Sequence, residues 1–243
     1  MSIRVLGLRS LPEVRAGGHL AALVLRAARR GRLRITRRTI VVVAQKIVSK
    51  AEGAVVDLRS VRPSGRARRL AARLGRDPRL VELILRQSRR IVRAARGVLI
   101  TETRHGFVAA NAGVDESNVS PHHATVLPRD PDGSARRLRR RLGCGAVIIA
   151  DTFGRPWRLG LVNVAVGVSG LEPLVDCRGR LDRAGRPLRS TQVALADEIA
   201  AAAGLVMQKT AGVPVVLIRG LRWRAAAGSA RRLIRPPRQD LFR

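Results

Sequence analysis

The chain has 243 residues, 46% of them hydrophobic, and its 48 basic against 17 acidic side chains give a formal net charge of +31. Folding at this length buries roughly three quarters of the unfolded surface, so a full core is available; no apolar run approaches the ~18 residues of a membrane span, and Met1 to Val14 lacks a signal-peptide core, which together predict a soluble cytoplasmic protein. Cys144 and Cys177 lie far apart without metal-ligand spacing, which argues against a disulfide framework or a cysteine zinc site and predicts two packing residues in a reducing compartment.

In chain order, Ile3 to Leu8 alternate as a short strand that ends at Leu11-Pro12-Glu13-Val14, where the proline breaks any ladder. Leu20 to Arg30 carry apolar residues at helical spacing and close at Gly31. Thr39 to Ser49 read as the strongest strand of the first half, running into Lys50-Ala51-Glu52-Gly53. Ser64 to Leu74 form a basic helix. Asp77-Pro78 then cap a longer one, with Leu80, Val81, Ile84, Leu85, Ile91 and Val92 as its apolar stripe.

Val98 to Thr101 and Phe107 to Ala110 read as paired strands around Arg104-His105-Gly106, followed by the polar loop Asn111 to Val119. His105, beside a turn, reads as structural, and His122 and His123 as exposed loop residues. Asp130 to Ser134 start a helix that runs through Ala135 to Leu142 and ends at Gly143. The β-branched run from Val147 then delivers Asp151 and Thr152 at the exposed end of a buried strand, and the turn after it carries Arg155 and Arg158. Val164 to Val168 form another strand, Arg178 to Leu188 a loop or hairpin, Thr191 to Met207 an alanine-rich helix, and Pro214 to Ile218 a last strand after the turn 208–213. No linker or internal repeat divides the chain.

Lysine occurs only at 46, 50 and 209, leaving 45 arginines, so Lys46 and Lys50 mark places that want a compact ammonium rather than a fork. A field this positive attracts polyanions and speeds encounter with phosphorylated substrates. A basic nucleic-acid-binding protein is the rival from another class. Against it, the arginines are spread over nearly every segment, and aromatic residues make up 2% with no tyrosine, which leaves few stacking surfaces for bases. Neither a Gly-x-x-x-x-Gly-Lys-Ser/Thr loop nor a Gly-x-Gly-x-x-Gly fingerprint occurs, so any nucleotide site is built differently.

The chain resembles the coenzyme F420-0:γ-glutamyl ligases. The resemblance is carried by Leu11-Pro12-Glu13-Val14, Gln45 to Gly53, Arg104 to Phe107, Asn111 to Asn118, Asp151 to Arg158, Ala196 to Ala200 and Gly212 to Gly220, in family order over nearly the whole chain. It implies one domain over 1–243 with an α+β fold: mixed, largely antiparallel sheets, flanking helices and two intimately packed subdomains. It also implies a homodimer that uses GTP to join L-glutamate to the carboxylate of a deazaflavin precursor, with Mg or Mn and, as an option, a monovalent cation. Carried over by position, Asp115 and Asp151 correspond to ligands of one metal and Thr152 to a ligand of a second. Leu11, Pro12, Glu13, Val14, Gln45, Lys46, Lys50, Asn118, Met207, Gln208, Lys209, Thr210, Ala211, Gly212 and Val213 correspond to nucleotide contacts.

The chemistry of the residues agrees with that implication. An amide from a carboxylate requires activation, most simply as an acyl phosphate, and phosphoryl transfer rests on positioning and charge neutralisation. Mg takes one or two carboxylates plus phosphate and water oxygens, which Asp115 and Asp151 suit. Lys50, Arg155 and Arg158 are the candidates to stabilise charge on the transferred group. Two departures stand out: Gln208-Lys209 lies where many members carry an acid, and Leu161-Val162-Asn163 where many carry Gln-Thr-Asp, which leaves open a same-scaffold ligase with another carboxylate acceptor.

Overall fold

The structure, a computed structural model, describes residues 2–240. Its first half runs β1 (Arg4–Gly7), α1 (Leu20–Arg30), β2 (Ile40–Ala44), α2 (Gln45–Ala51), β3 (Val55–Asp57), α3 (Gly65–Leu74), α4 (Pro78–Gln87), β4 (Ser88–Ala95), β5 (Val98–Thr103) and β6 (Val108–Ala110). There follow β7 (His123–Thr125), α5 (Pro131–Leu142), β8 (Ala146–Arg155), β9 (Arg158–Ser169), β10 (Val175–Asp176), β11 (Gln192–Val193), α6 (Leu195–Met207) and β12 (Val215–Arg219). This is the expected mixed α+β fold, and its sheets are mostly antiparallel.

The central sheet has the order β1-β12-β2-β8-β9. Its β2 and β8 pair in parallel, Ile40 opposite Ala146 through Ala44 opposite Ala150, while its other neighbours are antiparallel. Over their paired length, Ile40 to Ala44 and Ala146 to Ala150, both strands are apolar on every residue and buried except at the half-buried Ala44, as a parallel pair covered on two faces requires. The sheet makes the larger core with α1, α5 and α6. A second core gathers Leu70, Leu74, Val81, Ile84 and Leu99 from α3, α4 and β5, beside the three-stranded sheet β4-β5-β6 and the pair β3-β7.

Local chemistry sets the helix ends. Ser64 accepts from the Ala67 amide at 3.2 Å, Asp77 from Arg79 at 2.8 Å and Asp130 from Gly133 at 3.0 Å, with proline in the first turn of α4 and α5. Gly75 and Gly143 take left-handed C-caps.

Four expectations are corrected. Residues 45 to 49 continue β2 not as strand but as the helix α2, which buries Gln45, Val48 and Ser49 at helical spacing. The stripe of α4 ends at Leu85: the Ser88 hydroxyl donates back to the Ile84 carbonyl at 2.6 Å, and Ile91 and Val92 belong to the strand β4. His123 opens β7 and pairs with Asp57 instead of lying in a loop. The strand carrying Asp151 does not end there; β8 and β9 form a long hairpin closed by Pro156-Trp157.

That hairpin carries a bulge. Ile149 faces Gly167 while Ala150 faces Ala165, so Val166 is a surplus residue one pair away from Asp151–Val164. Gly167 next to it permits α5 to dock: a Cβ there would stand 2.5 Å from the Pro131 carbonyl oxygen. Gly167→Ala is expected to destabilise the protein by about 1–3 kcal/mol through this overpacking, measurable as a lower urea midpoint at unchanged slope.

Candidate functional site

The carboxyl ends of the parallel strands β2 and β8 lie side by side, and the segments that leave them supply the site. Beyond Ala44 the chain turns into α2 and presents Lys46 and Lys50; opposite, β8 continues with Asp151 and Thr152. The Ala44 amide donates to the Pro214 carbonyl at 2.8 Å and the Leu8 amide to the Val215 carbonyl at 2.8 Å. These two bonds bring the turn before β12 and the segment after β1 to the same edge. Leu11 to Val14, Gln45 to Lys50, Asp151-Thr152 and Met207 to Val213 therefore converge, although they are far apart in sequence.

The loop after β6 joins them from the second core. Its Asp115 forms a bridge with Thr125, and the Lys46 ammonium reaches across to it: Nζ lies 2.6 Å from Asp115 Oδ2, donates to the Ser117 carbonyl at 2.8 Å, and also donates to the Ser117 hydroxyl. Three donors meet three acceptors, a tripod that an ammonium can make. The Ser117 amide closes the turn by donating to Asp115 Oδ1 at 2.8 Å. Burial alone would raise the Asp115 carboxyl, but Lys46 and Ser117 hold it below the ordinary carboxylate range.

Asp151 is the opposite case. Burial pushes its carboxyl up to about 6 against the Thr152 amide bond, with the Asp115 charge adding to the rise and Lys209 and Lys46 opposing it. Asp115 and Asp151 thus lie within each other's field, in a half-buried place where a second negative charge is unfavourable. Two carboxylates in one another's field suit a hard divalent cation, which would neutralise both and take the rest of its shell from phosphate and water. Among the described residues no group of three His, Cys, Asp or Glu side chains is placed to hold a metal.

Thr152 leaves the strand on the other face. Its hydroxyl donates to Asn163 Oδ1 at 2.9 Å, and Asn163 Nδ2 reaches Met207 Sδ at 3.5 Å, so it belongs to the side covered by α6. The Asp197 carboxyl on α6 accepts the Ala165 amide at 2.8 Å, and burial raises it. Sequence reasoning placed Asp197 only in a helix; the apolar neighbours of that helix, Ile199 and the alanines, were the available sign that it is enclosed.

Lys50 bonds Glu13, which ties α2 to the segment after β1. Gln45 is 2% exposed and accepts from Ser49 at 2.9 Å, while Val14, Met207 and Val213 are buried; these four form the floor, and Gln208 to Gly212 the exposed rim. Asn118 and Gln208 both hold positive φ, at 55° and 44°. Arg155 and Arg158 do not reach Asp151: they face one another at the hairpin tip, four residues or about 13 Å along the strand. His105 Nε2 lies 3.2 Å from the Arg129 carbonyl, with its ring beside Phe107, a structural placement.

The profile of the family described as F420-0:Gamma-glutamyl ligase matches residues 8–220. The chain is similar to the coenzyme F420:L-glutamate ligase of Methanothermobacter thermautotrophicus, 49% identical with 100% of both chains covered. It is 48% identical to that of Methanopyrus kandleri over 95% of this chain and 94% of the relative. With that of Archaeoglobus fulgidus the identity is 37%, over 100% and 97%.

Proposed function

Because the chain belongs to the F420-0:γ-glutamyl ligase family, we propose that it uses GTP to join L-glutamate to the carboxylate of coenzyme F420-0, and that further γ-linked glutamates follow. The observation that carries the reading is the pair formed by Asp151 on β8 and Asp115 on the loop after β6, each in the other's field, with Lys46 and Lys209 near them. A bound Mg or Mn held by this pair would neutralise phosphate charge and polarise the transferred group. The acceptor carboxylate attacks the γ-phosphorus, the bond to the β-phosphate oxygen breaks, and GDP leaves. The glutamate amine then attacks the acyl carbon; phosphate departs with the C–O bond, and the amine loses its proton.

In this scheme the chain's own residues orient and neutralise. Lys46 fixes the Asp115 loop, Lys50 anchors α2 to the segment after β1, and the rim 208–212 closes over the nucleotide. Arg155 and Arg158 act across a homodimer, in which the hairpin arm, with Trp157 79%, Leu159 96% and Leu161 63% exposed, supplies the apolar contact. Incubation with GTP, glutamate, Mn and F420-0 is expected to release GDP in step with products heavier by whole glutamyl units in mass spectra. GDP release that ignores F420-0 but follows another carboxylate would move the acceptor assignment; release that needs neither would end the ligase reading.

A further inference from the structure

A second concave site lies at the opposite end of the same sheet. Arg37 and Arg38 precede β2, Arg139 and Arg140 end α5 just before β8, and Arg222 and Trp223 follow β12; together they line a cavity of about 1070 Å³. Strands β2 and β8 separate it from Asp151 by about 17 Å, five residues of extended chain. The site is outside the reading given above, and Arg222 and Trp223 lie beyond residue 220, where the family match ends.

Three features need an explanation. Basic residues in the last turn of a helix complement its dipole, which accounts for Arg139 and Arg140. It does not account for Arg37, Arg38 and Arg222, which arrive from two other segments. Among the described residues no carboxylate pairs with any of the five guanidiniums, so they repel one another in a shared concavity. Some of the lining is also fixed: Arg139 Nε donates to the Gly145 carbonyl at 2.8 Å and Trp223 Nε1 to the Gly170 carbonyl at 3.2 Å. A Cβ on Gly145 would stand 2.6 Å from Trp223 Cζ2, so the indole is seated by close approach of the backbone.

We propose that this cavity is a second anion site that binds a polyphosphate chain of nucleotide size, with the guanidinium forks on the phosphate oxygens and Trp223 in the wall beside it. Forked donors match phosphate bidentately, and a ligand with several charges in a short length relieves several repulsions at once. A nucleic-acid backbone spreads its charge along a strand, whereas the arginines here surround one hollow.

The test reads Trp223 directly. The chain has two tryptophans, so Trp157→Phe leaves Trp223 as the sole indole reporter. In that background, with EDTA present and near-physiological salt, tripolyphosphate is expected to change the emission saturably. Arg37→Gln with Arg222→Gln should weaken the apparent affinity by about tenfold or more, and Arg140→Glu alone should also weaken it; all three arginines are exposed and their substitution leaves packing untouched. GTP bound as tightly as tripolyphosphate, with the same loss in the arginine variants, supports the site and makes a nucleotide its source. No saturable change, equal affinity in the variants, or a response to single-stranded oligothymidylate without one to tripolyphosphate would each overturn it.

Discussion

Asp151→Asn is expected to lower the rate of glutamate ligation by about a thousandfold or more while making the metal-free protein more stable at pH 8. The two effects have one cause. Burial and the neighbouring Asp115 raise the Asp151 carboxyl from 3.8 to about 6. A carboxyl raised on folding contributes stability that is complete below its unfolded value and lost as pH climbs through about 6. Above that the folded state carries an ionised group in a poor place, at a cost of up to about 3 kcal/mol. Asparagine keeps the acceptor for the Thr152 amide and removes the charge. Urea melts in EDTA should therefore show a gain at pH 8 that fades toward pH 4, and saturating Mn should stabilise only the parent. A variant that loses activity and stability together would mean that Asp151 is a structural group.

Lys46→Arg should be nearly as damaging as Lys46→Met, each costing about a hundredfold in kcat/KM. The Lys46 ammonium spends three donors on Asp115 and the two oxygens of Ser117, and a planar fork cannot make that tripod from the same Cα. The charge alone is not what the place requires. Circular dichroism should be unchanged in both variants, and the apparent affinity for Mn should fall with the rate, because Asp115 is no longer held toward Asp151. Recovery by arginine to within about threefold of the parent would refute a geometric role and leave only a general cationic one.

The regular parts of this fold were legible because single mechanisms set them. Ser64, Asp77 and Asp130 are capping residues by chemistry, and the apolar runs of β2, β8 and β12 admit only buried strands. The misreadings arose where two periodicities overlap. Ile47 and Val48 favour strand by composition, yet Gln45, Val48 and Ser49 share one helical face, and the bond from Ala44 to Pro214, invisible in sequence, marks the switch. Ile91 and Val92 extend the α4 stripe in register, and only the Ser88 back-bond ends it. For the site, linear context singled out Asp115, Asp151 and Lys46, and the fold sets Lys46 on Asp115 with Asp151 in the field of both. Thr152 and Asn163 facing α6, the enclosed Asp197, and the distance of Arg155 and Arg158 depend on strand parity and hairpin length, which no local motif encodes.

Parity gives the bulge at Val166 a wider meaning. Every side chain of β9 on the tip side of that residue, Asn163 included, faces as it does because one surplus residue has been counted. Closing the bulge, with Val166 paired opposite Ala150, would slide the arm by one residue, set Val164 opposite Thr152 on the side of α6 and turn Asn163 away, inverting the lining of the arm without altering one residue of it. The arm can change length at its tip in steps of two and keep its faces, but its root is locked to a single count.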